Sequence, residues 1–202
     1  MSPTDESAGP RSRRHAWIED GERLDLAVYS AIARTPTPAL DTAMSRLSHA
    51  ANYSRLSLAS AALLAAAGGP TGRRAAVHGL AAVAVTSTVV NAAIKPLARR
   101  RRPDRLAGEV PVARHVRMPT SRSFPSGHSA AAFAFATGVG HVSPAAAVPL
   151  RALAALVAYS RVHTGVHYPG DVLAGSLIGT AVGQLTTHVH VPGDHRHLLS
   201  KG

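Results

Sequence analysis

The sequence predicts an all-α fold: a transmembrane helical bundle of about five spanning helices, preceded by an N-terminal amphipathic helix. Three observations predict it. Ala75–Ile94, Ser129–Leu150 and Val172–Gly193 run for 20, 22 and 22 residues without Asp, Glu, Lys or Arg, and about 18 such residues mark a spanning candidate. Their apolarity comes mainly from Ala, Gly, Val and Leu, small enough for helix backbones to approach closely in lipid. The charged residues are gathered between these stretches rather than spread through them.

Taken in order, residues 1–16 are rich in Ser, Pro and Arg and are expected to be a disordered tail. Residues 17–190 form one helical membrane domain, and residues 191–202 a flexible, solvated tail. Trp17–Ala33 places Trp17, Leu24, Val28 and Ile32 on one stripe, an amphipathic helix for the membrane surface or the side of the bundle. Thr35-Pro36-Thr37-Pro38 breaks it, and Ala39–Ala51 is a second short helix. Five longer helices follow. They are Leu56–Ala67, ended by Gly68-Gly69-Pro70; Ala75–Ile94; His128 to about Val142; a helix after Ser143-Pro144 reaching Ser160; and Pro169 to about Val189. Arg151 in the fourth must snorkel or face protein.

Net charge is +11. Nucleic acid is the usual reading of such a charge. Only 4% of residues are aromatic, however, and the basic residues cluster between helices, so no nucleic-acid partner is expected. An anionic lipid surface or a phosphorylated substrate explains them more simply. The chain has no cysteine, which excludes disulfides and thiolate metal sites.

Helix parity brings four separated segments to one level. The second long helix ends at Lys95, and the polar loop to Pro125 stays on that face. The third leaves from Ser126-Gly127-His128, and the fourth returns at Ser160-Arg161. The fifth starts there, just after His167, with Asp171 in its first turn. Lys95, Arg102 and Arg161 can hold the equatorial oxygens of a phosphoryl group. Ser126 caps a helix whose backbone N–H groups, from Ser126 and Gly127, add neutral donors. The two histidines can then divide the chemistry. His167 is assigned as nucleophile with Asp171 orienting its far nitrogen, and His128 as general acid and base. Arg99, Arg100 and Arg101 read as a headgroup-facing run, and His163 as structural or substrate-facing.

Taken together, KPLARRRRP (Lys95–Pro103), PSGH (Pro125–His128) and SRVHTGVHYPGD (Ser160–Asp171) resemble the three signature motifs of the phosphatidic acid phosphatase type 2 superfamily. That superfamily also holds bacterial acid phosphatases, undecaprenyl-diphosphate phosphatases and vanadium haloperoxidases. The resemblance implies a helical bundle, a phosphohistidine mechanism needing no metal or cofactor, and inhibition by vanadate. It implies the same site: His167, His128 and Asp171 in catalysis, with Lys95, Arg102, Ser126, Gly127 and Arg161 on the phosphate. Many membrane members have six spanning helices; here a charged amphipathic segment stands in place of the first.

The expected partners are therefore a membrane and a phosphorylated lipid. Candidates are polyprenyl diphosphate, a polyprenyl-phosphoryl sugar phosphate, phosphatidate and phosphatidylglycerol phosphate, with a polyprenyl-linked phosphate favoured. A vanadium-dependent haloperoxidase and a non-catalytic lipid-binding protein are the rival readings. Setting aside cations in the motifs, one face carries Arg11, Arg13, Arg14, Arg23, Arg34, Arg46 and Arg55, the other Arg73, Arg74 and Arg151. The positive-inside rule then puts the site on the cytoplasmic face of the cell membrane.

Overall fold

The structure, a computed structural model, describes the backbone of residues 10–187 and side chains from 16 to 186. Most of both expected tails lies outside the described residues. Among those residues the chain forms seven helices longer than three residues: α1 (Pro10–Arg34), α2 (Pro38–Ala50), α3 (Arg55–Ala67), α4 (Gly69–Leu97), α5 (Gly127–Val142), α6 (Pro144–His163) and α7 (Pro169–Thr187).

The boundaries differ from expectation in three places. α1 begins at Pro10, ahead of the anticipated Trp17. Gly68-Gly69-Pro70 does not open a gap: Gly69 takes φ +57° and Pro70 sits in the first turn of α4, where its missing N–H is harmless. α6 continues past Ser160 to His163, so Ser160 and Arg161 lie in a helical last turn. Two helices, α4 and α6, are long and apolar enough to cross a membrane by length and composition. α3 and α5, at 13 and 16 residues, are shorter than the ~20 residues that a 30 Å hydrocarbon core requires.

α5 is the hub, packed on α4, α6 and α7. Its small residues make this possible: Ala130, Ala134, Ala136 and Val139 are fully buried, with Phe135 beside them. α7 meets α5 through a glycine ladder spaced by four residues. A β-carbon on Gly175 would lie 2.4 Å from the Ser126 carbonyl oxygen, and one on Gly179 2.1 Å from that of Ala130. The two backbones therefore touch, which is how helices gain dispersion energy where lipid removes the hydrophobic drive.

α1 lies along the end of the bundle that carries the motifs. It buries Asp25, Tyr29 and Ala33, one stripe at spacing four, and leaves Trp17, Ile18 and Leu24 exposed. The exposed set includes part of the expected apolar stripe, so that stripe faces outward, and a polar-headed stripe faces the protein. α2 meets the end of α6 through a buried ionic cluster. Arg114, with no exposed surface, donates to Asp41 Oδ1 at 2.8 Å and to four more acceptors: the carbonyls of Ile32, Ala33 and Thr35 and the Thr37 hydroxyl. His163 Nε2 joins the cluster, 3.0 Å from Asp41 Oδ1, and so ties α6 to α2.

Candidate active site

The site is assembled at one end of the bundle from the ends of α4, α5, α6 and α7 and the loop between α4 and α5. α4 delivers Lys95. Just before it, Val89–Ile94 winds as a π-helix. Pro96 follows, and a proline there has no N–H and would crowd the carbonyl four residues back; a wider turn relieves both. π-turns of this kind recur at functional sites. Lys95 Nζ ends 3.3 Å from Ser121 Oγ and 3.5 Å from where a β-carbon on Gly127 would sit.

Arg102 reaches the same serine. Its guanidinium donates to Ser121 O (2.8 Å), Ser121 Oγ (3.2 Å) and the Val166 carbonyl (2.8 Å), and its Nη1 stands 3.2 Å from His167 Nε2. Arg161, almost fully buried, donates from Nη1 to the Ser48 hydroxyl at 2.6 Å and to the Ser48 carbonyl. Its Nε carries a buried proton with no partner, a donor left over for a bound group.

Ser126 caps α5, its hydroxyl accepting from Ser129. Its own N–H donates to the Asp171 carbonyl at 2.9 Å. The expected Ser126 N–H donor is thus turned away from the cleft toward α7. Gly127 and His128 remain in the first turn, where helix geometry supplies no acceptor, so the N-terminal donors shift by one residue. His128 Nε2 lies 3.0 Å from Asn52 Oδ1, on a turn where Tyr53 and Ser54 both hold positive φ. His128 is within electrostatic range of Arg161, His167, Lys95 and Arg102.

His167 is 1% exposed. Its Nδ1 faces Asp171 Oδ2 at 3.5 Å, longer than a formed hydrogen bond. Burial, opposed by the Asp171 carboxylate, holds its pKa at about 4, so the ring is neutral at pH 7 with an electron pair to offer. Asp171 is fully buried and heavily engaged. Oδ2 accepts from the Ser123 hydroxyl and, at 3.0 Å, from the Tyr168 N–H; Oδ1 accepts from Arg100 at 3.0 Å. Arg100 is therefore not the headgroup-facing residue expected. It also pairs with Asp25 of α1 and stacks 4.3 Å over the Tyr168 ring.

A cleft of about 180 Å³ opens beside Lys95, Gly127 and His128, walled by Leu56, Ala131 and Val157. All eight expected residues thus lie at one end of the fold. Sequence reasoning missed Arg100, Ser121, Ser123, Asn52 and Asp25. Only Asp25 left a signal, because its spacing to Tyr29 and Ala33 heads a stripe that turns out buried.

Known proteins resemble this chain in sequence, and two solved structures resemble it in fold. The chain is 40% identical over 100 residues to the decaprenylphosphoryl-5-phosphoribose phosphatase of Mycobacterium tuberculosis, covering 48% of this chain and 51% of that one. The Mycolicibacterium smegmatis protein of the same name is 37% identical over 168 residues, 78% of this chain and 84% of its own. An undecaprenyl-diphosphatase of Sulfolobus acidocaldarius is 40% identical over 76 residues, 37% of each chain. The chain thus spans about half the length, or less, of the M. tuberculosis and S. acidocaldarius relatives it matches. Among solved structures, a transmembrane PAP2-type phosphatidylglycerolphosphate phosphatase from Bacillus subtilis superposes with TM-score 0.64 at 25% identity, covering 83% of this chain and 85% of that one. Aquifex aeolicus LpxE superposes with TM-score 0.65 at 28% identity, covering 81% and 94%. With two membrane-length helices on this shared fold, the chain is a membrane protein. A model of the PAP2 superfamily matches residues 76–192, more than half of the chain and all eight expected site residues, and the chain belongs to that superfamily.

Proposed function

We propose that the protein is an integral membrane lipid phosphatase that hydrolyses a phosphomonoester or diphosphate of a lipid, with a polyprenyl-linked phosphate favoured. The observation that carries this reading is the setting of His167: a buried neutral ring with Arg102 at Nε2 and the Asp171 carboxylate behind Nδ1. The decaprenylphosphoryl and undecaprenyl names of the relatives support the polyprenyl substrate.

In this mechanism Lys95, Arg102, Arg161 and the first-turn N–H groups of α5 bind the phosphoryl oxygens. His167 Nε2 attacks phosphorus as the bond to the lipid oxygen breaks. His128 takes up a proton as the anionic phosphate binds beside it and gives that proton to the leaving oxygen. The neutral His128 then takes a proton from water, which attacks phosphorus, cleaves the P–N bond and releases phosphate. Lys95, Arg102 and Arg161 lower the energy of the transition state more than that of the bound substrate when they are aimed at the plane of the three equatorial oxygens, with the attacking nitrogen and the leaving oxygen in line on either side of it. The cleft beside His128, with Leu56, Ala131 and Val157 on its walls, supplies an apolar surface for the first part of a lipid chain.

The test is phosphate release from polyprenyl phosphates, polyprenyl diphosphates and phospholipid phosphates in detergent. The expected result is turnover of at least one polyprenyl-linked substrate, with an acid-labile phosphohistidine trapped in the wild type and absent in His167→Ala. No release from any lipid phosphate overturns the reading. The cytoplasmic face is proposed from the arginine count. The natural chain has no cysteine, so Leu106→Cys on the exposed site loop gives a single label: an impermeant maleimide should react in inverted vesicles and not in intact cells.

A further inference from the structure

Arg100 sits between two carboxylates from opposite ends of the chain. Its Nη1 donates to Asp171 Oδ1 at 3.0 Å and its Nη2 pairs with Asp25 of α1. Asp25 is itself fixed, because its other oxygen accepts from the Gly170 N–H at 2.7 Å. The guanidinium lies 4.3 Å over Tyr168, and Tyr168 meets Tyr29 of α1 edge-on, with centroids 5.5 Å apart. Asp25 is 8% exposed and Asp171 not at all. A flexible side chain is thus held at both ends of its fork, and one end is the carboxylate that faces His167.

We propose that Asp25 and Arg100 form a clamp that positions Asp171, so that the amphipathic helix α1 is a working part of the active site. Asp171 needs this help. Its Oδ2 takes the Ser123 hydroxyl and the Tyr168 N–H, yet the gap to His167 Nδ1 is still 3.5 Å. Small rotations of the carboxylate decide whether the imidazole is oriented. Arg100 fixes Oδ1 and stops that rotation, and Asp25 stops Arg100 from leaving. Lysine cannot substitute fully, since a single ammonium lacks the planar fork that spans two carboxylates.

The inference rests on the phosphatase reading, and the experiment separates the two. The wild type is first shown to release phosphate from its best lipid phosphate; failure there strikes the reading above. Asp25→Asn and Arg100→Gln are then compared with it. Both are expected to lower kcat by about 10- to 100-fold, the usual scale for groups that orient a reacting side chain, with KM little changed. The acid limb of kcat/KM should move in opposite directions. The charged or titratable groups facing His167 are Asp171 on α7, Arg102 on the loop, Arg161 on α6 and His128 on α5. Arg100→Gln leaves Asp171 less neutralised, favours His167 protonation and shifts the limb to higher pH. Asp25→Asn leaves Arg100 facing Asp171 alone and shifts it to lower pH. Arg100→Lys should give an intermediate kcat with the limb near its wild-type place. Exogenous guanidinium should restore rate to Arg100→Ala. Damage to folding alone produces neither opposite shifts nor rescue. Wild-type kcat in the isosteric Asp25→Asn, or losses confined to KM with the limb unmoved in both variants, overturns the clamp.

Discussion

Two buried ionic clusters lie close together in this molecule, built from the same three residue types. One joins Asp41, Arg114 and His163; the other joins Asp171, Arg100 and His167. In the first, Arg114 has five acceptors and His163 is bonded at 3.0 Å to Asp41. Its strong donors are turned inward to tie α2, the site loop and α6 together. In the second, His167 Nδ1 stands off from its carboxylate at 3.5 Å, and Nε2 is approached only by a cation. Composition alone therefore does not make a site. His163 gives its Nε2 to a carboxylate inside the fold, whereas His167 turns its Nε2 toward a guanidinium in the proposed phosphoryl site; in both rings the buried Nδ1 lacks a hydrogen bond.

Substitution of His167 itself should do the most damage. His167→Ala should lower phosphate release by about 10⁴-fold or more, the scale of losing a covalent nucleophile. His163→Ala should keep most of the activity per folded molecule, measured on protein of verified helicity. Next, His128→Ala should cost about 10²–10⁴-fold in kcat, as loss of a general acid does, while its melting temperature stays near the wild-type value. Third, Arg114→Met strands Asp41 in the interior and should destabilise by about 3–5 kcal/mol, read by thermal melting in detergent. Activity at low temperature should survive in the folded fraction. Fourth, in the proposed mechanism the neutral form of His167 attacks, and its pKa is held at about 4. Protonation removes the nucleophile only as pH falls toward that value, so the acid limb of kcat/KM belongs well below the ordinary histidine range. A limb near 6.5 would show that the ring is less buried than described. The smallest expected effect is none: EDTA should leave the rate unchanged, and loss with Mg²⁺ rescue would point to a different mechanism.

Much of this was legible in the sequence, for particular reasons. Uncharged stretches report helices because lipid tolerates no unsatisfied backbone. The parity of those helices brought Lys95, Arg102, His128, Arg161, His167 and Asp171 to one end. The structure adds that α1 and α2 lie at that same end, through Asp25 on Gly170 and Ser48 on Arg161. What stayed hidden was pairing over long separations. Arg100 lies among four consecutive arginines, and nothing in its neighbours says that it alone turns inward to Asp25 and Asp171. Ser126 was legible as a cap, but not the diversion of its N–H to Asp171, because that bond depends on how closely α7 approaches α5. The closeness follows from Gly175 and Gly179, whose spacing is visible while the partner helix is not. The start of α4 was also misjudged, since Gly-Gly-Pro reads as a break unless a glycine can take positive φ and hand a proline straight into a helix.

The wide turn before Lys95 has a consequence for how the active end could have arisen. A π-turn is a regular helix with one residue too many, and each residue advances an α-helix by about 100°. The wider turn absorbs that residue, so removing one between 89 and 94 would let the helix close normally with Lys95 near its present azimuth, whereas keeping it and winding the segment as a plain α-helix would swing Lys95 about a quarter of a circle off Ser121 and Gly127. The winding of a single turn thus sets the azimuth of that cation.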